Sequence, residues 1–131
     1  MPAIPASHRA LLDAPVGVLA TLGADGLPQV TALWFLFDEA DDVVRFSLNT
    51  TRQKVKNLRA RPVASFLVMD PANPYRTLEL RGRVDLQPDP DYAFADRVGQ
   101  KYGADLRTMD RPGETRVAVT LRPVKVNTWG E

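Results

Sequence analysis

The sequence predicts a mainly β domain, an antiparallel barrel, closed or nearly closed, of six to seven short strands with helices at its periphery. Three observations carry this. Several segments alternate apolar and polar residues with the two-residue period of a half-buried strand. Clusters of Gly, Pro, Asn and Asp separate them at short intervals, so that neighbouring strands join as hairpins. The helical segments are inserted among the strands in the wrong order for a parallel βαβ sheet, and no Gly-x-Gly-x-x-Gly follows a strand. At 131 residues the chain is read as a single domain, residues 1–131.

Taken in order, Ser7 caps a short helix that ends before Pro15, with Leu11 and Leu12 as its apolar side. Residues 16–22 form an apolar strand, Gly23-Ala24-Asp25-Gly26 a turn, and residues 29–37 the hairpin partner. After an acidic turn at residues 38–42, Val44, Phe46 and Leu48 face inward while Arg45, Ser47 and Asn49 make a polar outer face. Thr50 or Thr51 caps a helix reaching Ala60, held by Val55 and Leu58 and stopped by Pro62. Residues 63–69, apolar on both faces, read as a central strand, and residues 70–74 as a rigid loop. Residues 77–86 turn Leu78, Leu80, Val84 and Leu86 inward, and Gly82 marks a bend or bulge of the kind that turns a barrel corner. Asp89-Pro90 starts a helix to Tyr102 with Tyr92, Ala95, Val98 and Tyr102 along one side, and Gly103 stops it. Two strands follow, residues 116–122 with Val117, Val119 and Leu121 inward, and residues 124–129 after Pro123.

Composition removes whole classes of chemistry. With no cysteine there is no disulfide, thiol nucleophile or cysteine-ligated metal. The one histidine, His8, sits in the peripheral N-terminal segment, which leaves no histidine triad or metal cluster to build. A net charge of +1 argues against a nucleic-acid or membrane-surface binder. The N-terminus has no apolar signal region and no segment approaches the roughly 20 apolar residues of a membrane span, so a cytoplasmic protein is expected.

One segment does carry chemistry. Arg52, Lys54, Lys56, Arg59 and Arg61 cluster with no acid among them, and Thr50, Thr51, Arg52 and Lys54 fall at a helix start. A helix N-terminus offers unpaired N–H groups and about half a positive charge. Cations there oppose the macrodipole unless an anion neutralises them, so the arrangement suits a phosphate. A solvated basic helix with a threonine cap accounts for the same residues.

The order and spacing of Val18-Leu19-Ala20-Thr21-Leu22, Asp25-Gly26-Leu27-Pro28, residues 47–54 with Asn57-Leu58, Asn73-Pro74-Tyr75-Arg76, Arg81-Gly82-Arg83-Val84 and Val126-Asn127-Thr128-Trp129-Gly130 resemble the pyridoxamine 5'-phosphate oxidase-like split β-barrels. Within these the chain is most similar to the deazaflavin (F-420)-dependent oxidoreductases of type B. The resemblance spans nearly the whole sequence. It implies a homodimer with two cofactor sites at the subunit interface and hydride transfer from the reduced deazaflavin coenzyme F-420 to a small unsaturated organic acceptor. By similarity, Ser47, Thr51, Arg52, Gln53 and Lys54 hold the anionic tail, Thr31, Ala32, Leu33 and Trp34 lie against the ring, and Tyr75 and Trp129 reach it from the other subunit. Core or interface packing is the other reading of Trp34, Tyr75 and Trp129. Pyridoxamine-phosphate oxidases continue past the Trp-x-Gly region with an arginine-containing substrate segment, whereas this sequence ends at Glu131, so pyridoxamine phosphate is not the expected substrate. Flavin-mononucleotide members carry an arginine on the second strand and Arg-Lys at the helix start. Here Thr31 and Arg52-Gln53-Lys54 favour deazaflavin over FMN. An FMN-dependent oxidoreductase, a haem-binding relative and a non-catalytic carrier of deazaflavin or flavin are the alternatives.

Overall fold

The computed structural model describes residues 2–130. Along the chain, α1 (Ala6–Arg9) runs into a 3-10 turn (Ala10–Asp13), followed by β1 (Gly17–Leu22), β2 (Pro28–Leu33), β3 (Leu36–Asp38), β4 (Val43–Asn49), α2 (Gln53–Ala60), β5 (Val63–Asp70), β6 (Asn73–Pro88), α3 (Ala93–Tyr102), a second 3-10 turn (Leu106–Met109) and β7 (Arg116–Trp129). The strands make one antiparallel sheet in the order β2-β1-β5-β6-β7-β4-β3.

β2 and β3 therefore lie at opposite edges of the sheet order, although only Trp34 and Phe35 separate them in sequence. That two-residue step ties the edges together and curls the sheet into a barrel. A single strand over residues 29–37, as the alternation suggests, does not form. Phe35 turns fully into the core, its N–H donates to Tyr102 Oη at 3.0 Å, and its carbonyl accepts from Lys101 Nζ at 2.8 Å. Side chains of α3 thus replace the ladder bonds that the broken strand gives up.

At the other corner, the two predicted C-terminal strands are one. Gly82 faces Pro123 and Arg81 faces Lys125, so Val124 is the extra residue of a bulge at the proline, which has no N–H to give the ladder. A Cβ on Gly82 would run into the Arg122 carbonyl, which is why this position accepts only glycine.

Phe35, Phe46 and Phe66 meet edge to face at the centre of the main core, with centroids 4.9 and 5.2 Å apart. A second cluster joins Phe94, Ala95 and Val98 of α3 to Leu106 and Ala118, with Trp34 and Tyr102 packed against it. α3 and the chain after it cover the face of β4 expected to be solvated. Asn49 is buried, Ser47 is half-buried, and the Arg45 guanidinium lies 4.2 Å over the Phe94 ring.

The helix starts also shift from the expected caps, because the capping side chains find other partners. Thr50 Oγ1 donates to the Thr115 carbonyl, and Thr51 donates its N–H and hydroxyl to Asn49 Oδ1 at 2.9 and 2.7 Å, so α2 begins only at Gln53. Pro5, not Ser7, precedes α1, and the Ser7 hydroxyl bonds His8 Nδ1. Asp89 stands four residues before α3 and accepts from the Phe94 and Ala95 N–H groups. Gly103 ends α3 at φ +64°, as a left-handed stop should.

Candidate functional site: a cationic cleft beneath α3

A cleft of about 320 Å3 opens where the β2–β3 step, the end of β4 and the start of α2 meet α3. Its polar lining is Ser47, Asn49, Arg52, Lys54 and Arg116, and its apolar lining is Ala32, Leu33, Trp34, Leu48, Val98, Leu106 and Met109. Among the described residues no acidic side chain lines it. Neither Arg52 nor Lys54 is ion-paired among the described residues.

The polar half is built from the α2 N-terminus. Val55 and Lys56 N–H both turn back to the Arg52 carbonyl, while the Gln53 and Lys54 N–H groups have no acceptor among the described residues. Burial, and then the neighbouring Arg52 cation, push the Lys54 amine below its ordinary range. An anion in the cleft would oppose both effects by favouring the charged amine.

A buried network underlies this half. Asp110 accepts from Arg116 Nε at 2.8 Å, Tyr92 Oη at 2.7 Å and Asn49 Nδ2 at 2.9 Å. Burial alone would raise the Asp110 carboxyl, but the bonds from Arg116, Tyr92 and Asn49 together hold it below the usual carboxylate range. Asn49 also donates to Glu114 Oε1, and Arg116 Nη1 donates to the Ser47 carbonyl and hydroxyl at 3.2 and 3.3 Å.

The apolar half has one aromatic wall. Trp34 stacks on Tyr102, whose hydroxyl donates to the Pro15 carbonyl at 2.8 Å. Lys101 beside it donates to the Ala14 and Phe35 carbonyls and sits 3.9 Å from the centre of the Phe35 ring. Burial lowers its amine, with Asp13 opposing.

The structure brings six of the eleven sequence-derived candidates into the cleft: Ala32, Leu33, Trp34, Ser47, Arg52 and Lys54. Thr31 and Thr51 do not line it. Gln53 lines an adjoining cavity and donates to Asn57, which is buried and bonded to Thr21 and Gln29. Tyr75 and Trp129 lie outside it, 79% and 72% exposed, near each other where β6 begins and β7 ends, since Trp129 pairs with Thr77. His8, expected at the periphery, is buried and donates from Nε2 to the Trp129 carbonyl, away from the cleft lining. Sequence reading missed Asn49, Arg116, Leu106 and Met109. Strand alternation puts Asn49 and Arg116 on polar outer faces, and the opposite charges at Asp110, Glu114 and Arg116 are the signal the sequence offers.

The outer sheet face beside the cleft is largely apolar. Cross-strand partners share a face, so Val30, Ala20, Ser65 and Arg81 form one row, and Ala32, Val18, Leu67 and Glu79 the next. Met69, Thr77 and Trp129 continue it. A groove of about 450 Å3 runs along this face between Leu22, Pro28, Val63 and Val124, rimmed by Arg81, Arg83 and Lys125. Ala32 belongs to both this face and the cleft lining, so the cleft borders the face.

Comparison with known proteins bears on what this geometry serves. The family model described as pyridoxamine 5'-phosphate oxidase matches residues 4–130. The chain belongs to that family. The barrel is the family's split barrel, as the sequence resemblance implied. Among solved structures, this family member is similar to one named F420 Reductase, with 41% identity over 95% of this chain and 98% of the other and a TM-score of 0.82. It shares the fold of conserved hypothetical protein Rv2991 from Mycobacterium tuberculosis (23% identity, 97% and 85% covered, TM-score 0.77). It also shares the fold of a pyridoxamine 5'-phosphate oxidase-related, FMN binding protein from Nostoc punctiforme (21% identity, 92% and 76% covered, TM-score 0.66). Membership of an oxidase family and the likeness to a reductase point to an oxidoreductase. No group of acids or histidines that could hold a metal occurs among the described residues, and none of their helices is long and apolar enough to cross a membrane.

Proposed function

We propose that this protein is a homodimeric oxidoreductase that transfers hydride from reduced coenzyme F-420 to a small unsaturated organic acceptor. The observation that carries the reading is the likeness to the F420 Reductase over nearly the full length of both chains, joined to a cleft whose two halves differ in chemistry. Arg52, Lys54, the open N–H groups of Gln53 and Lys54, and the Ser47 hydroxyl suit a phosphate-bearing, polyanionic tail. Trp34, Leu33, Leu106 and Met109 suit a planar ring.

The coenzyme supplies the hydride chemistry when bound. The residues of the chain then have three tasks. Arg52 and Lys54 anchor the tail and fix the ring's position along the cleft. Trp34, held by Tyr102, sets the plane of one wall and excludes water from it. The apolar outer face docks a second copy, whose Tyr75 and Trp129 complete the site across the interface. Among the described residues the titratable groups lining the cleft are Arg52, Lys54 and Arg116, all of them placed on the anionic tail, which leaves solvent or the partner's Tyr75 to supply a proton that the acceptor requires.

A fluorescence titration with coenzyme F-420 and, separately, FMN tests the reading, followed by an acceptor screen with reduced coenzyme. Tight F-420 binding, weak FMN binding and oxidation of the reduced coenzyme are expected. Preference for FMN would replace the coenzyme assignment, and F-420 binding without turnover by any acceptor would make the protein a carrier.

A further inference from the structure

Arg116 is 93% buried by its 7% exposure, yet it lines the cleft. Its Nε donates to Asp110 Oδ2 and its Nη1 to the Ser47 carbonyl and hydroxyl, while Nη2 has no partner among the described residues. Nη2 is also not among atoms sealed from solvent. Arg–carboxylate pairs are frequently bidentate, with two nitrogens set against both carboxylate oxygens. Here Asp110 Oδ1 is taken by Asn49 and Oδ2 is shared with Tyr92, so Asp110 is satisfied by one Arg116 nitrogen. The rest of the fork is turned to Ser47 and the cleft. Because the Ser47 hydroxyl accepts from Nη1, its own O–H is left to donate in the same neighbourhood.

We propose that Arg116 is an anion-binding residue of the cleft, donating with Arg52, Lys54 and Ser47 to the phosphate of the bound cofactor. Asp110 is its positioning residue. Arg116 is held in one orientation before the ligand arrives, so little side-chain freedom is lost on binding. The proposal rests on the cofactor reading above for the identity of the ligand, but not for the chemistry of the group recognised.

The test compares ligands with and without the phosphate on the same ring: coenzyme F-420 against its deazaflavin nucleoside, which lacks the whole anionic tail, and FMN against riboflavin, which lacks the phosphate alone. Arg116→Met should weaken the phosphorylated form about 10- to 100-fold and leave the phosphate-free form within about twofold, the scatter of changes that touch no contact. Arg116→Lys should recover part of the loss, since it restores charge without the fork. Asp110→Asn should show a smaller loss of the same selectivity. Thermal unfolding of each variant reads the structural cost separately. If Arg116→Met does not fold, the Arg116→Lys and Asp110→Asn comparison decides on the same ratio. Equal loss of both forms, or no loss of either, overturns the proposal. Wild-type protein that ignores F-420 but prefers FMN over riboflavin would sink the coenzyme assignment and leave the Arg116 comparison to be made with the FMN pair. Wild-type protein indifferent to the phosphate in both pairs would sink the Arg116 assignment itself.

Discussion

The Trp34 indole lies face to face on the Tyr102 ring, centroids 4.2 Å apart and planes 5° from parallel. This contact links the step that closes the barrel to the end of α3, and it gives the cleft its flat wall. The Tyr102 hydroxyl accepts from the Phe35 N–H and donates to the Pro15 carbonyl. One side chain therefore holds three segments that are distant in sequence.

Tyr102→Phe keeps the stack and removes the hydroxyl, leaving the fully buried Phe35 with an unpaired N–H. A loss of about 1–3 kcal/mol in urea unfolding is expected. Tyr102→Leu should lose about 0.5–1.5 kcal/mol more for the missing ring pair. In a Trp129→Phe background Trp34 is the only tryptophan. Its emission should change with Tyr102→Leu and much less with Tyr102→Phe. Identical spectra for the two variants would contradict a stack in solution.

The Asp110 carboxyl is held below its ordinary range by Arg116, Tyr92 and Asn49 acting against burial. A group whose folded pKa is depressed stabilises the fold above its unfolded value, about 3.9, and that contribution disappears as pH falls through the lower folded value. Unfolding free energies measured from pH 7 downward should therefore fall more steeply below about pH 4 in wild type than in Asp110→Asn. Asp110→Ala, which leaves the buried Arg116 unpaired, should cost about 3–5 kcal/mol near neutral pH. Parallel pH curves for wild type and Asp110→Asn would exclude this role.

How much of this was readable beforehand follows the range of the interactions. Alternation placed Val44, Phe46, Val117 and Val119 correctly in the core because strand geometry is a local property. The same alternation sent Ser47 and Asn49 to solvent, because nothing local says that α3 and the chain after it will cover that face. Arg52 and Lys54 were recognisable because a cation at a helix start conflicts with the macrodipole, a local oddity that asks for an anion. Arg116 carries no such local conflict. Its meaning depends on Asp110 and on Ser47, 69 residues away in sequence. Gly82 and Pro123 each announced a break, but only their pairing across two strands showed it to be one bulge.

Lys54 sets a pH dependence on binding. Burial and Arg52 lower its amine, and an anion favours the protonated form, so affinity for a phosphorylated cofactor should fall as pH rises through the lowered pKa of the free protein. Lys54→Arg, whose charge persists to higher pH, should keep binding in that alkaline range, while Lys54→Met should be weak throughout. Titrations across the alkaline range for the three proteins measure this. A wild-type affinity that is flat with pH would remove Lys54 from the anion site.

The apolar outer face gives the last prediction. Val30, Val63, Met69 and Trp129 are exposed on a surface whose edge residue, Ala32, also lines the cleft. An uncovered face of this kind favours self-association, and sedimentation should show a dimer. Val30→Glu places a charge on that face at a side chain 65% exposed, so it should change monomer stability by less than about 0.5 kcal/mol and still dissociate the dimer. If the partner's Tyr75 and Trp129 complete the site, the monomeric variant should lose cofactor affinity although every cleft residue of its own chain is intact. Trp129→Ala should lose affinity while remaining dimeric. Tight binding by a Val30→Glu monomer would place the whole site within one chain and leave Tyr75 and Trp129 as contacts between subunits.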